Sequence, residues 1–189
     1  MINGEKWLKN NVQCDVTVVE IENYTRTSLY ELPIKPSPNL PSYQSIRLYP
    51  SLCLFEGSII SVGRGTGEPF TMYGHPAFKY VFEDSFVPKS NEGAKNPKLK
   101  NKKCFGEILT DYKVKQGEGI NLQWLITAYN TYPIKEQFFL KNNFFNKLSG
   151  NKELKAQIKA GKSEVEIKKT WQKDLQEYEK MRKPYLIYE

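Results

Sequence analysis

The residues with the clearest chemical potential lie in the proline- and glycine-rich run Pro36–Phe70. Glu56 stands at the end of a short apolar segment, and Arg64 lies between two glycines. A carboxylate at the C-terminal end of a helix gains nothing from the helix dipole, so Glu56 needs another partner. The flanking glycines let Arg64 turn tightly and aim its guanidinium group at a carboxylate or phosphate. Two interpretations stay open: a structural Glu56–Arg64 ion pair that braces the turn, and a pair that faces a ligand.

A second set of carboxylates, Glu20 and Glu22, lies at the end of the apolar segment CDVTVVEI at residues 14–21. Ligands of open α/β sheets bind beyond the carboxyl ends of the strands. Glycosidic bonds are commonly hydrolysed between two carboxyl groups. The position therefore permits glycosidase chemistry; the alternative is an ordinary strand end that meets solvent.

The sequence lacks the residues that several other kinds of catalytic site need. The single histidine, His75, has no second histidine or cysteine nearby for a zinc site, and no Gly-x-Ser-x-Gly motif is present. The glycines from residue 63 to residue 67 match neither a P-loop nor a dinucleotide fingerprint. Cys14, Cys53 and Cys104 have no metal-ligand spacing. Cys14 and Cys53 lie in apolar contexts typical of buried cysteines, and one disulfide among the three stays open.

The elements expected to position these residues differ along the chain. A short helix at residues 3–10 and a buried strand at 14–21 would make half of an α/β unit. A helix is expected at 50–57, because Pro50 and Gly57 are typical of a helix start and end. Strands are expected on both sides of the Gly-Arg-Gly turn and further along, at residues 59–63, 70–74, 79–86 and 105–114.

The last third of the chain is predicted to be helical. Residues 121–133 and 149–160 have helical spacing and end at Pro133 and Gly161. Ser163 and Glu166 form a capping box for a final helix that ends before Pro184. We expect the apolar face of this last helix to belong to the core, and YLIYE at residues 185–189 to form a strand. That face consists of Ile167, Trp171, Leu175 and Tyr178.

The net charge of +7 is concentrated in part in the lysine-rich segment NEGAKNPKLKNKK at residues 91–103. A nucleic-acid surface would interleave basic and aromatic residues, and this segment contains no aromatic residue. We interpret it as a solvated loop, compatible with attraction to an anionic partner. No apolar run approaches the roughly 18–20 residues that span a bilayer, and the opening residues predict no signal peptide.

The ordered motifs of the chain resemble those of the exo-β-N-acetylmuramidase family of the NamZ type. They are PSPNLP (36–41), YPSLCLFEGS (49–58), SVGRGT (61–66), PF (69–70) and GHP (74–76). The segment from residue 144 to 175 and the closing RKPYLIY are similar to the C-terminal helices of the family, and MINGEKWL resembles the end of its N-terminal domain. Members are about twice as long, so a fragment, a split gene product and a truncated copy all fit.

The resemblance implies an α+β fold: a mixed α/β C-terminal domain at 31–189 with a short sheet and C-terminal helices. Residues 1–30 would be the last helix–strand remnant of a Rossmann-like N-terminal domain. It also implies an active site in the cleft between the two domains. Family members release N-acetylmuramic acid from the non-reducing ends of peptidoglycan fragments, with no known metal requirement. We therefore expect neither metal nor cofactor, and catalytic residues in the missing N-terminal domain.

By the same resemblance, the substrate-binding residues are Asn39, Glu56, Ser61, Arg64 and Thr66, with Pro38 and Gly65 shaping the backbone. The expected partners are muramyl saccharides and the N-terminal catalytic half, without nucleic acid or a membrane span. The expected location is extracytoplasmic, either periplasmic or secreted.

Three positions depart from the family pattern. Ser58 and Ile59 replace Thr-Asn, and Ala77 stands where many members have tryptophan, which removes an amide and a stacking surface. We therefore keep two functions open: one wall of a muramidase cleft, and a non-catalytic module for cell-wall glycan binding or docking.

Overall fold

A computed structural model describes residues 1–188. The chain divides into two compact units. The larger unit is Glu31–Ile167, and the smaller one combines Met1–Tyr30 with the residues from Lys168 onward. None of the helices formed by residues 1–188 has the length and apolar character needed to cross a bilayer.

The larger unit contains a three-stranded antiparallel sheet in the order β1-β3-β2. Its strands are β1 (Met72–His75), β2 (Ser85–Phe86) and β3 (Cys104–Ile108). Tyr73 pairs with Glu107 in the register, and the buried Tyr73 hydroxyl donates to Glu107 Oε2 at 2.7 Å. The expected strand at 59–63 is reduced to one bridge between Ser61 and Gly74, because the chain turns at Gly63.

Helix α1 begins earlier than predicted. It covers Tyr43–Leu52 and continues as a 3₁₀ helix over Cys53–Gly57, so the expected helix at 50–57 is wrong at its start. Ser42 and Ser45 form a reciprocal capping box: the Ser42 hydroxyl accepts from the Ser45 amide, and the Ser45 hydroxyl accepts from the Ser42 amide. This cap moves the helix start upstream of Pro50, which lies inside the helix.

The helical last third is confirmed. The helices are α2 (Gln123–Thr131), α3 (Lys135–Phe138), α4 (Phe144–Ser149), α5 (Glu153–Lys159) and α6 (Glu164–Arg182). The predicted capping box is present: the Ser163 amide donates to Glu166 Oε2 at 2.8 Å, and the Glu166 amide donates to the Ser163 hydroxyl at 3.3 Å.

The 3₁₀ helix and α4 meet at Gly57. A Cβ atom at this position would lie 2.5 Å from Cα of Phe145, whose ring is fully buried. Phe145 in turn packs edge to face on Phe139, with ring centroids 4.6 Å apart. The absence of a side chain at Gly57 therefore lets the backbone that carries Glu56 lie directly against the aromatic core.

The smaller unit differs from its prediction. Residues 12–21 form no strand, and the helix expected at 3–10 is reduced to a 3₁₀ turn at Lys9–Asn11. Val16, Val18 and other side chains of the 14–21 segment are exposed. A strand needs a neighbour to pair with, and within the described residues the amides of 15–20 have no hydrogen-bond partner.

The C-terminal part of the smaller unit also departs from expectation. Of the predicted core face of α6, Ile167 is buried, whereas Leu175 and Tyr178 are exposed. Residues 186–188 do not form a strand, and Glu189 lies outside the described residues. The α+β class is confirmed. The Rossmann-like origin of residues 1–30 and the domain assignment to 1–30 and 31–189 stay predictions.

Candidate functional site

A cavity of about 480 Å³ opens on the larger unit. One side is formed by the end of the 3₁₀ helix and the turn after it, and the other side by the lysine-rich loop. The polar, charged and aromatic residues that line it are Glu56, Ser61, Arg64, Glu92, Lys95, Asn96, Lys98 and Phe144.

The two residues predicted from the opening motif meet in this cavity. Arg64 Nη1 donates to Glu56 Oε1 at 3.0 Å. The Arg64 side chain is 42% exposed and that of Glu56 is 22% exposed, so neither is sealed in the interior. A guanidinium group has five N–H donors, and within residues 1–188 this one is the only bond found for Arg64. The pair braces the turn and still faces open space.

The backbone conformation requires glycine at both positions that flank Arg64. Gly63 and Gly65 have φ values of +73° and +87°, which residues with a Cβ atom rarely adopt. The Gly65 carbonyl accepts from the Lys89 amide at 2.8 Å, and a Cβ atom at Gly65 would lie 2.6 Å from Cγ of Pro97. The Gly-Arg-Gly turn is therefore held against the lysine-rich loop, directly before Lys98.

Lys98 is the site residue that the sequence interpretation missed. Its ammonium group donates to the carbonyls of Ile60 at 3.0 Å, Phe55 at 3.3 Å and Ser58. Burial lowers the pKa of Lys98 to about 8, while the Glu56 carboxylate opposes this shift. The solvated-loop interpretation is thus wrong for Lys98. Its one sequence signal is that Pro97 and Leu99, both apolar, flank it in a polar run.

The other predicted residues support the cavity through their own hydrogen bonds. Asn39 Nδ2 donates to the Gly93 carbonyl at 2.7 Å and so holds the loop opposite Arg64. Ser61 is buried, and its hydroxyl accepts from the Gly63 amide at 3.3 Å. The Thr66 hydroxyl donates to the Gly63 carbonyl at 2.6 Å. Pro38 and Thr66 line a shallower depression of about 430 Å³, which shares Glu92 and Gly93 with the main cavity. A substrate-binding role for all five residues stays a prediction.

The departures from the family pattern have different structural settings. The Ser58 hydroxyl is buried and donates inward, to the Phe55 carbonyl at 2.8 Å. The Ile59 side chain is half-buried, and Ala77 is exposed.

The carboxylates predicted at the strand end are elsewhere. Glu20 and Glu22 are exposed in the smaller unit. Within the larger unit, Glu92 is the second carboxylate that lines the cavity of Glu56. The sequence interpretation had no reason to choose Glu92, because it lies in a polar loop.

The remaining titratable residues do not assemble a metal site within residues 1–188. His75 Nδ1 accepts from the Ala77 amide at 3.1 Å, and burial, with Lys102 and Lys98 nearby, lowers the His75 pKa. All three cysteines are free, so the disulfide left open by the sequence is not formed. Cys14 is exposed, so the buried setting expected for it is wrong.

The chain spans about half the length of the relatives it matches. It is 33% identical to the peptidoglycan β-N-acetylmuramidase NamZ of Bacillus subtilis (strain 168), over 94% of this chain and 47% of the relative. A crystal structure of a DUF1343 family protein from Bacteroides fragilis is 45% identical, with a TM-score of 0.94 over 100% of this chain and 53% of that one.

A second DUF1343 structure from the same organism shares the fold at 20% identity, with a TM-score of 0.73 over 100% of this chain and 54% of that one. The family model described as exo-β-N-acetylmuramidase NamZ, C-terminal, matches residues 47–188. This match covers the cavity and all the helices that follow it, and the chain therefore belongs to the NamZ family through its C-terminal region.

Proposed function

We propose that this chain forms one wall of the active-site cleft of a peptidoglycan-degrading exo-β-N-acetylmuramidase. In this function the complete enzyme releases N-acetylmuramic acid from non-reducing ends, and an N-terminal half supplies the catalytic carboxyl groups. The present chain binds the terminal muramyl sugar. A wall-degrading enzyme meets its substrate outside the cytoplasm, which gives an extracytoplasmic location as part of the proposal.

The observation that supports this proposal is that the guanidinium group of Arg64, which lines the cavity, still has N–H donors available beyond its bond to Glu56. Muramic acid differs from glucosamine by a lactyl ether that ends in a carboxylate. A guanidinium group binds a carboxylate through two parallel N–H···O bonds, and among residues 1–188 Glu56 engages the only bonded donor of Arg64. Arg64 therefore has the chemistry to distinguish muramyl from glucosaminyl ends.

The segment at residues 14–21 supports an N-terminal half as the partner, because its amides from residue 15 to residue 20 have no hydrogen-bond partner within residues 1–188. Val16, Val18, Val19 and Ile21 are between 57% and 88% exposed. β-branched residues with unpaired amides are the features of a strand that completes a sheet in another polypeptide or domain. We propose that this segment adds as a strand to the N-terminal half and so closes the cleft.

A complementation assay tests this function. The chain is incubated with a chromogenic N-acetylmuramyl glycoside, alone and with the N-terminal half of the 45%-identical Bacteroides fragilis relative. Release of the chromophore is expected only with both halves, because glycosidic hydrolysis normally needs two positioned carboxyl groups. Release by the chain alone would contradict the division of labour. Binding of muramyl saccharides without release in either mixture would identify a non-catalytic glycan-binding module instead.

Substitution of the arginine tests the recognition step. Arg64→Lys keeps the positive charge but loses the two-pronged geometry, so affinity for N-acetylmuramic acid should fall roughly tenfold. Affinity for N-acetylglucosamine should change little. Arg47→Lys is the matched control, because Arg47 is also partly buried in the larger unit but donates to the carbonyls of Val114 and Lys115. Equal losses for both sugars would refute the recognition of the lactyl carboxylate.

A further inference from the structure

We propose that Lys98 is a positioning residue that fixes the Glu56–Arg64 pair by binding the backbone on both sides of Glu56. The expected effect of Lys98 on sugar binding rests on the proposed function. Its effect on the position of the Glu56–Arg64 pair does not. Lys98 makes no contact with the expected substrate in this proposal; it acts through Glu56.

The geometry leaves the Lys98 ammonium group no donor for a ligand. An ammonium group has three N–H donors, and Lys98 Nζ lies within hydrogen-bond distance of three backbone carbonyls. These belong to Phe55, Ser58 and Ile60, so they bracket Glu56 along the chain. Arg64 is the opposite case, with one bond to Glu56 and free donors toward the cavity.

Of the three carbonyls that Lys98 binds, that of Phe55 belongs to the 3₁₀ helix Cys53–Gly57 and also accepts from the Ser58 amide. Those of Ser58 and Ile60 follow the helix. A cation near the C-terminal end of a helix interacts favourably with its carbonyls. Lys98 comes from a loop about forty residues further along the chain, and Pro97, beside it, packs on Gly65. One residue thus connects the segment of Glu56 with the turn of Arg64.

The charges around Lys98 agree with this arrangement. Burial lowers the pKa of Lys98, the Glu56 carboxylate raises it and the Arg64 guanidinium group lowers it. Burial also lowers the pKa of His75, with smaller contributions from Lys102 and then Lys98. An ammonium group this buried is retained at a desolvation cost, which the carboxylate of Glu56 offsets only in part.

The test compares Lys98→Met with Lys135→Met. Lys135 is the matched control, because it also donates to three carbonyls, at the end of α2, but does not line the cavity. The readout is NMR of the guanidinium N–H signals of Arg64, assigned by their loss in Arg64→Lys among the four arginines of the chain. In Lys98→Met we expect the Arg64 guanidinium group to become mobile, so that its N–H signals take the averaged positions of a free arginine. In Lys135→Met we expect these signals to be unchanged.

The same two variants are then titrated with N-acetylmuramic acid. Lys98→Met should lose roughly tenfold in affinity, because a displaced Arg64 loses one charge-assisted hydrogen bond to the sugar. Lys135→Met should bind as the parent chain does. If Lys98→Met does not fold, Lys98→Gln replaces it, because its amide still donates to part of the carbonyl set.

The outcomes separate the two proposals. An unchanged Arg64 spectrum in a folded Lys98 variant, or equal changes in both lysine variants, would overturn the positioning role. A parent chain whose Arg64 signals already match a free arginine would also overturn it. Loss of the Arg64 signals only in the Lys98 variant, in a chain that binds no muramyl sugar, would support positioning and contradict the proposed function.

Discussion

Two lysines of the larger unit make the same set of contacts in different surroundings. Lys135 Nζ donates to the carbonyls of Tyr129, Asn130 and Tyr132, at distances between 2.5 and 2.8 Å, and lies 5.3 Å from the centre of the Tyr129 ring. Lys98 donates to three carbonyls as well, but beside a carboxylate, a guanidinium group and a cavity. The shared contacts show a common way of ending a helix, and only the neighbours of Lys98 suggest a role in binding.

The difference teaches that a lysine bonded to three backbone carbonyls is not in itself a sign of a site. Burial lowers the pKa of both lysines, and to about 8 for Lys98. At Lys135 the aromatic residues around the α2 end supply only packing. At Lys98 the bonded carbonyls lie on both sides of Glu56 in the chain, and the Glu56 side chain lines the cavity. Each prediction below separates folding from binding at one of these two regions.

The largest effect is expected at Gly57, where the 3₁₀ helix that carries Glu56 meets α4. Gly57→Ala would place a methyl group 2.5 Å from the Phe145 backbone, and such overpacking should cost about 2–3 kcal/mol of unfolding free energy. Urea denaturation measures this. Gly67→Ala is the control, because a Cβ atom there meets nothing within 4 Å. Equal midpoints for the two variants would contradict the close approach of the 3₁₀ helix and α4.

Removal of the second lysine should affect stability alone. Lys135→Met leaves three carbonyls at the α2 end without their donor, and we expect a loss of about 1–2 kcal/mol. Urea denaturation measures the loss of stability, and calorimetric titration with N-acetylmuramic acid checks that sugar affinity is unchanged. A stable variant with weaker sugar binding would remove the contrast between the two lysines.

A smaller effect is expected at Thr66, a predicted substrate-binding residue. Its hydroxyl donates to the Gly63 carbonyl and accepts from the Glu68 amide at 3.2 Å. Thr66→Val keeps the shape and removes both bonds, so we expect a loss of about 1 kcal/mol in stability. Thr66→Ser keeps the hydroxyl and is the control. If Thr66→Val weakens sugar binding without a change in stability, Thr66 contacts the ligand directly.

The smallest effect is a dependence on pH. Above pH 8 most Lys98 groups lose a proton, a carbonyl loses its donor, and affinity for N-acetylmuramic acid should fall several-fold between pH 7 and pH 9. Carboxylate and guanidinium groups do not titrate in this range. Lys98→Met should show no such fall, and an identical profile in parent and variant would contradict the assignment.

Stability should move in the other direction. The folded-state pKa of Lys98 lies below the ordinary value of 10.5. The unfolded chain therefore binds more protons between pH 8 and pH 10.5, and this group alone makes folding more favourable as the pH rises through that window. Urea midpoints across pH 8–10 in parent and Lys98→Met check the sign. A fall in affinity with rising pH is thus not a sign of unfolding.

The sequence predicts the parts of this fold that depend on local signals. The end of α2 before Pro133 and the Ser163–Glu166 cap are visible as spacing and punctuation. The Glu56–Arg64 pair can also be predicted from the sequence, because the two glycines constrain the turn and the carboxylate lacks another partner nearby in the sequence. These features need no knowledge of distant contacts.

The sequence does not predict features that depend on distant partners. Lys98 resembles its solvated neighbours until the loop closes onto carbonyls some forty residues earlier. The β-branched apolar run at residues 14–21 forms a strand only if another strand lies beside it, and residues 1–188 provide none. The start of α1 was missed because serine at both ends of a capping box is a weak local signal.

Helix α4 has a consequence for how this family can diversify. Phe144 borders the cavity, and the next residue, Phe145, fills the interior against Gly57. Any shift of this short helix that reshapes the opening also disturbs its neighbour in the interior. Evolution of a new ligand preference on this side must therefore preserve foldability at the same time, whereas the exposed side chain of Glu92 can vary without that constraint.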